Sequence, residues 1–177
     1  MATRDYFLKI EGIEGESEDS KHKNEIDIES FSWGESNSTV YGAGGDSGKP
    51  NVQMLDIHFT MFASKASTKL MIACAKPDAI PISKAIFTLR KAGSDQQEYM
   101  RFTFSDVRIT SYHIGGPATE TSKYEKIGHE KSENPIPLES ITLHFAEIEV
   151  EYRAQKSGGD LRGKNTFRYN LKKAQLS

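Results

Sequence analysis

The sequence predicts a mainly β protein, an antiparallel β-barrel of two sheets with one flanking α-helix, folded as a single domain over residues 1–177. Three observations carry this. Apolar residues recur with period two in segment after segment, the mark of strands with one buried face. A single segment repeats its apolar residues at helical spacing instead. No internal repeat or linker divides the 177 residues, a length that suits one domain with a proper core.

Taken in order, residues 6–13 place Tyr6, Leu8 and Ile10 on one face and Lys9 and Glu11 on the other. A charged loop follows at 15–25. Ile26 and Ile28 are in phase, but Phe31 and Trp33 break that phase. A bulge or turn is therefore expected near Glu29-Ser30, ahead of another strand. Residues 52–62 read as one strand, with Leu55, Ile57, Phe59 and Met61 on one face and Asp56, His58 and Thr60 on the other. The helix is expected over 64–77, capped by Ser64, with Leu70, Met71 and Cys74 on its apolar stripe and Pro77 as its stop.

A strand at 86–91 and a turn at 92–97 lead into a long strand, 98–114. Met100, Phe102 and Phe104 alternate there, after which Val107 and Ile109 take the opposite parity. A slip near Ser105-Asp106 would re-aim this strand, as a barrel corner requires. Residues 139–152 repeat the pattern, with Ile141, Leu143 and Phe145 followed by Ile148, Val150 and Tyr152. A last strand is expected at 167–171. Three polar stretches, 36–50, 115–137 and 154–165, read as long loops.

Composition narrows the function. Charged residues make up 27% and hydrophobic ones 36%, which describes a soluble globular chain rather than a disordered or membrane one. The net charge of −2 gives no reason to expect nucleic acid or a membrane as partner. Residues 1–56 nevertheless carry a net −7 and residues 57–177 a net +5. Either the molecule has an acidic and a basic surface, which would suit head-to-tail self-association, or folding interleaves the two parts. The single cysteine, Cys74, excludes an internal disulfide framework or a cysteine zinc site and reads as a small buried hydrophobe. The N-terminal residues lack an apolar core of the signal-peptide kind. Residence in a reducing cytosol is expected.

Residues 42–49, GAGGDSGK, approach a phosphate-binding loop but miss it. The first glycine of that motif falls on Ala43, the metal-binding hydroxyl falls on Pro50, and a strand rather than a helix follows. Histidines 22, 58, 113, 129 and 144 show no metal-ligand spacing. Glu147, Glu149 and Glu151 form an acidic ladder that asks for solvent or a cationic partner. No constellation calls for catalysis, a cofactor or a metal. Ser32, between Phe31 and Trp33, is presented on the surface opposite the two aromatics if these are core. That position is either a contact or one more exposed polar residue.

Six segments, in this order and spacing, resemble the Hcp family, the haemolysin-coregulated tube protein of bacterial type VI secretion. They are FLKIEGIEGES, EIDIESFSWG, YGAGGDSGKPNVQ, STKLMIACA, TLRKAG and ITLHFAEIEVEY, spanning residues 6–152. The resemblance implies a two-sheet β-barrel with a flanking helix, a homohexameric ring and rings stacked into a tube. It implies as partners the VgrG spike protein, the contractile sheath and small effector proteins held in the lumen, and export without a cleaved signal. By residue it implies a lumen-facing Ser32. It also implies a ring-stacking loop made of Tyr41, Gly42, Ala43, Gly44, Gly45, Asp46, Ser47, Gly48, Lys49 and Pro50. The competing expectations are a monomeric β-sandwich module for carbohydrate or peptide, and a hydrolase with its site on the long loops.

Overall fold

The computed structural model describes residues 6–38, 51–91, 96–116, 136–155 and 161–176. In chain order the strands are β1 (Tyr6–Ile10), β2 (Ile26–Asp27), β3 (Ser30–Ser32), β4 (Glu35–Ser38), β5 (Asn51–Met54) and β6 (Ile57–Phe62). The helix α1 (Ser67–Ala75) and a 3₁₀ turn (Pro77–Ala79) follow. Then come β7 (Ile82–Arg90), β8 (Glu98–Gly115), β9 (Leu138–His144), β10 (Glu147–Gln155), β11 (Leu161–Asn170) and β12 (Gln175–Leu176).

Two antiparallel sheets result. The first runs β12-β11-β10-β8-β7-β1-β2 and the second β3-β6-β9-β8. Strand β8 belongs to both. It pairs with β10 up to Ser105 and with β7 up to Val107, and from Arg108 onward with β9. The corner lies at Asp106, whose φ is 51°, a left-handed conformation that aspartate adopts more readily than bulkier residues. The expected slip at Ser105-Asp106 is therefore a real bend. The chain turns the same corner a second time at Phe145-Ala146, between β9 and β10, where Ala146 N donates to Ser105 O at 3.0 Å.

At the other side, the segment of β2 and β3 passes from one sheet to the other. Ile28 N donates to Tyr6 O at 3.0 Å and Glu29 N to Thr60 O at 2.8 Å, which accounts for the phase break at Glu29-Ser30. The sheets thus meet at two seams, but among the described residues no single ladder closes the barrel. Strands β4 and β5 form a separate two-stranded ribbon.

Between the sheets lie fully buried Phe59, Phe87, Phe104 and Phe145 with Leu8, Ile57, Ile141, Leu143 and Ile148. Burying each such side chain stabilises the fold by about 1.5–3 kcal/mol. Phe87 sits at the centre, edge-on to Phe59 at 4.8 Å and to Phe31 at 4.7 Å.

Several expectations need correcting. Residues 52–62 are two strands, not one. The chain leaves the ribbon at Leu55-Asp56 to join the second sheet, so Leu55 is half exposed rather than core. The helix starts at Ser67, and Ser64 caps it reciprocally: Ser64 N donates to Ser67 Oγ at 2.9 Å and Ala66 N to Ser64 Oγ at 3.2 Å. The helix buries Ser67, Leu70 and Ala73, whereas Met71 is exposed and Cys74 is only half-buried. Strand β7 begins four residues earlier than its apolar alternation suggests. The polar stretches at 36–50 and 154–165 contribute strand residues to β4, β10 and β11.

The charged loop before β2 folds back over the outer face of the first sheet. Thr88 and Arg90, which alternate with core residues Phe87 and Leu89, are buried under it. His22 stacks on Phe7, with centroids 4.3 Å apart, and the Arg90 guanidinium lies 4.8 Å from the same ring. The turn needs glycine at position 15, where a Cβ would come within 2.3 Å of Glu25 O. Asp19–Arg90, Glu14–Lys65 and Asp56–His144 all pair the acidic first third with the remainder inside one chain. Interleaving accounts for much of the charge split.

Candidate functional site

The outward face of the second sheet is built in cross-strand rows. Antiparallel partners point to the same side, so register assigns each row. One row runs Ser30, Thr60, Ser140, His113 from β3 to β8. The next runs Ser32, His58, Thr142, Ser111. At the corner end, His144 stands opposite Arg108. At the far end, Phe62 and Leu138 are exposed beside Gly115.

Hydrogen bonds tie these rows together. The hydroxyls of Ser30 and Thr60 bond to each other. Thr142 Oγ1 lies 2.7 Å from His58 Nδ1 and accepts from Ser111 Oγ at 2.7 Å. Asp56 binds His144 Nδ1 at 2.7 Å and accepts from Thr110 Oγ1 at 3.0 Å. Short side chains, several of them bonded to the next strand, give a low polar wall with hydroxyl and imidazole groups outward.

Ser32 lies on this wall, exposed, while Phe31 and Trp33 pack against the core. The alternation expected of FSWG is therefore present. Trp33 also donates its indole N–H to Leu55 O at 3.0 Å. The segment from Tyr41 to Pro50 lies outside the described residues; β4 and β5 flank it. Three of the five histidines, His58, His113 and His144, stand on the wall, while His22 is buried under the N-terminal loop. In the sequence these histidines show no metal-ligand spacing. Their common face was invisible until register joined three strands.

The core side of the wall holds one buried acid. Glu139 is 1% exposed and accepts from Tyr112 O–H at 2.6 Å. Burial, together with this carboxylate, pushes the Tyr112 phenol well above its usual range. On the first sheet, Glu149 and Glu151 of the acidic ladder find cations on β11 of the same chain, and Glu147 accepts from Asn170 Nδ2. Glu149 binds Arg168 Nε at 2.6 Å, and Glu151 is held below the usual carboxylate range by its hydrogen bond to Lys164.

A cleft of ≈ 760 Å³ opens beside the barrel corner, lined by Asp78, Asp106, Arg108, His144 and Lys172 among others. Its charges are paired, Lys172 with Asp106 at 2.8 Å and Arg108 with Asp78 at 3.8 Å. Among the described residues no group of three or more His, Cys, Asp or Glu is placed to hold a metal ion, and no helix is long and apolar enough to cross a membrane.

Comparisons with known proteins agree with one another. The family described as "Type VI secretion system effector, Hcp" matches residues 7–152. Protein hcp1 of Pseudomonas aeruginosa is 37% identical over 156 residues, covering 88% of this chain and 86% of that protein. The crystal structure of Hcp1 from Salmonella typhimurium superposes with a TM-score of 0.69 at 28% identity, covering 98% of both chains. A type VI secretion system effector from Yersinia pestis gives a TM-score of 0.66 at 30% identity, covering 94% of this chain and 99% of that one.

Proposed function

The chain belongs to the Hcp family of type VI secretion proteins, and from that we propose that it works as the subunit of the secretion tube, closing into hexameric rings that stack and carry small effector proteins in their lumen. The observation that carries this reading is the family match over residues 7–152, which spans both sheets and the helix rather than a local motif.

In this reading the hydroxyl-and-imidazole face of the second sheet lines the lumen, with Ser32 on it. Low polar side chains suit a passage that must hold folded cargo and release it, since such surfaces offer hydrogen bonds without a large apolar patch. The ribbon of β4 and β5 carries the loop Tyr41–Pro50 toward the neighbouring ring. A ring is a heterologous contact that closes, and stacking is a second one that need not close. The tube's ends and outside meet the VgrG spike protein and the contractile sheath, and the protein leaves the bacterial cytoplasm through the system without a cleaved signal. It acts by assembly rather than by catalysis.

Negative-stain imaging with mass in solution tests this. Rings with a mass near six times 19.8 kDa are expected. A strict monomer at high protein concentration would overturn the tube reading in favour of an isolated binding module.

A further inference from the structure

The wall carries an unusual charge inventory. Its outward positions hold hydroxyls, three imidazoles, one guanidinium and, at the far end, Phe62 and Leu138, and none of its described outward rows contains a lysine or a carboxylate. His58 stands between Ser32 of β3 and Thr142 of β9. His113 stands beside Ser140. His144 has Arg108 opposite it and Asp56 on its Nδ1 at 2.7 Å, with Asp78 reaching Arg108 at 3.8 Å. Around the corner, Asp106 and Lys172 pair with each other. Glu139, the acid within β9, points into the core with Tyr112. All three imidazoles are exposed.

Imidazole is the side chain whose charge ordinarily changes between about pH 5 and 8. At the corner Asp56 and Asp78 outnumber Arg108, so the face carries a slight negative charge when the imidazoles are neutral and a net positive one when all three are charged. Asp56 offsets the charge on His144, whereas no outward acid of the described wall rows stands beside His58 or His113. From this we infer that the outward face of the second sheet is a pH-graded docking surface for carboxylate-rich protein segments. The hydroxyls of Ser30, Ser32, Thr60 and Ser140 supply hydrogen bonds at any pH. Protonation of imidazole adds attraction for aspartate and glutamate. Cargo of that composition is held in mildly acidic surroundings and let go in alkaline ones. Long-range charge complementarity acts chiefly on selection and capture, so basic segments are disfavoured under the same acidic conditions.

The test uses the full chain and an oligo-aspartate peptide, with binding followed by calorimetry at about pH 5.5 and about pH 8, conditions that straddle imidazole titration. Aspartate stays largely ionised at both, so the probe's own charge changes little. Binding about tenfold tighter at the acidic pH is expected, falling as salt is raised. An oligo-lysine peptide should show no such gain. In the triple variant His58→Gln, His113→Gln, His144→Gln the pH dependence should vanish, and each single variant should lose part of it. Circular dichroism at both pH values checks that the variants are folded. Equal binding at the two pH values by the unmodified chain, or an undiminished pH dependence in the folded triple variant, would overturn the inference. It stands apart from the tube reading: a chain that stays monomeric yet binds the acidic peptide in this way would sink the tube and leave the docking surface intact.

Discussion

Arg90 donates from Nη2 to Asp19 Oδ2 at 2.8 Å, across 71 positions of sequence, and this contact straps the N-terminal loop onto the first sheet. The hydrogen bond to Arg90 holds the Asp19 carboxyl down at about 2, against the usual 3.8. Because the folded state depresses this value, the stabilisation is complete above about pH 4 and disappears as pH falls toward about 2. The difference corresponds to about 2 kcal/mol. In Asp19→Asn that acid-linked loss should be absent, and stability near neutral pH should be lower by about 2 kcal/mol because the charged contact to Arg90 is gone. Urea titrations across this range measure both. Identical pH slopes in the two proteins would contradict the assignment.

Gly15 should be irreplaceable in the same loop. Its Cβ would meet Glu25 O at 2.3 Å, and backbone cannot swing aside as a flexible side chain can. Gly15→Ala should cost about 1–3 kcal/mol or more. Gly163→Ala, in β11 where a Cβ meets nothing within 4 Å, is the control and should be close to neutral. Thermal melts of the pair decide it.

At the barrel corner, Asp106 takes φ 51°. A glycine there relieves the conformation, while a β-branched side chain opposes it. Asp106→Gly should melt near the parent temperature and Asp106→Val several degrees lower. The reverse order would show that the backbone conformation does not govern the corner.

Tyr112 and Glu139 form a buried pair whose loss should be felt at alkaline pH as well as neutral. Tyr112→Phe removes the donor at 2.6 Å from Glu139 Oε1 and should cost about 1–3 kcal/mol, since the carboxylate oxygen is then buried unsatisfied. The phenol's raised value means the folded state keeps its proton where the unfolded state releases it. Stability therefore falls as pH rises above the ordinary tyrosine value of about 10, and falls less steeply in Tyr112→Phe. Unfolding curves at rising pH give both slopes.

Ser32→Arg should leave rings intact and reduce the effector protein that co-purifies with them, because the substitution adds bulk and charge to the face but touches no core contact. Unchanged co-purification would remove Ser32 from the proposed lumen role. Deleting Ala43–Ser47 should leave rings that no longer stack, and tubes of normal length would reject that part of the reading.

Much of the fold was legible because alternation is a local property. Met100 to Phe104 and then Val107 announce a bend, and Asp106 supplies it. The break at Leu55-Asp56 was not legible, because the ribbon and β6 continue the same alternation while pairing with different partners. Arg90 alternates with buried apolar residues in the manner of an exposed charge, and only the returning loop explains why it is buried. Ser32 could be placed on a face from FSWG alone, but the wall around it needed His58 and Thr142 from strands 26 and 110 positions away.

Strand β8 serves both sheets without interruption, and its bend at Asp106 is crossed by covalent bonds. Two separate sheets pressed together slide when sheared, because only side-chain packing resists. Here a displacement of the polar wall is transmitted along the main chain of β8, and again through Phe145-Ala146, to the outer sheet. Both crossings of this corner must stretch backbone before the layers can part. A subunit jointed in this way resists relative motion of its two layers, so that a push on one is carried to the other as motion of the whole rather than as deformation between them.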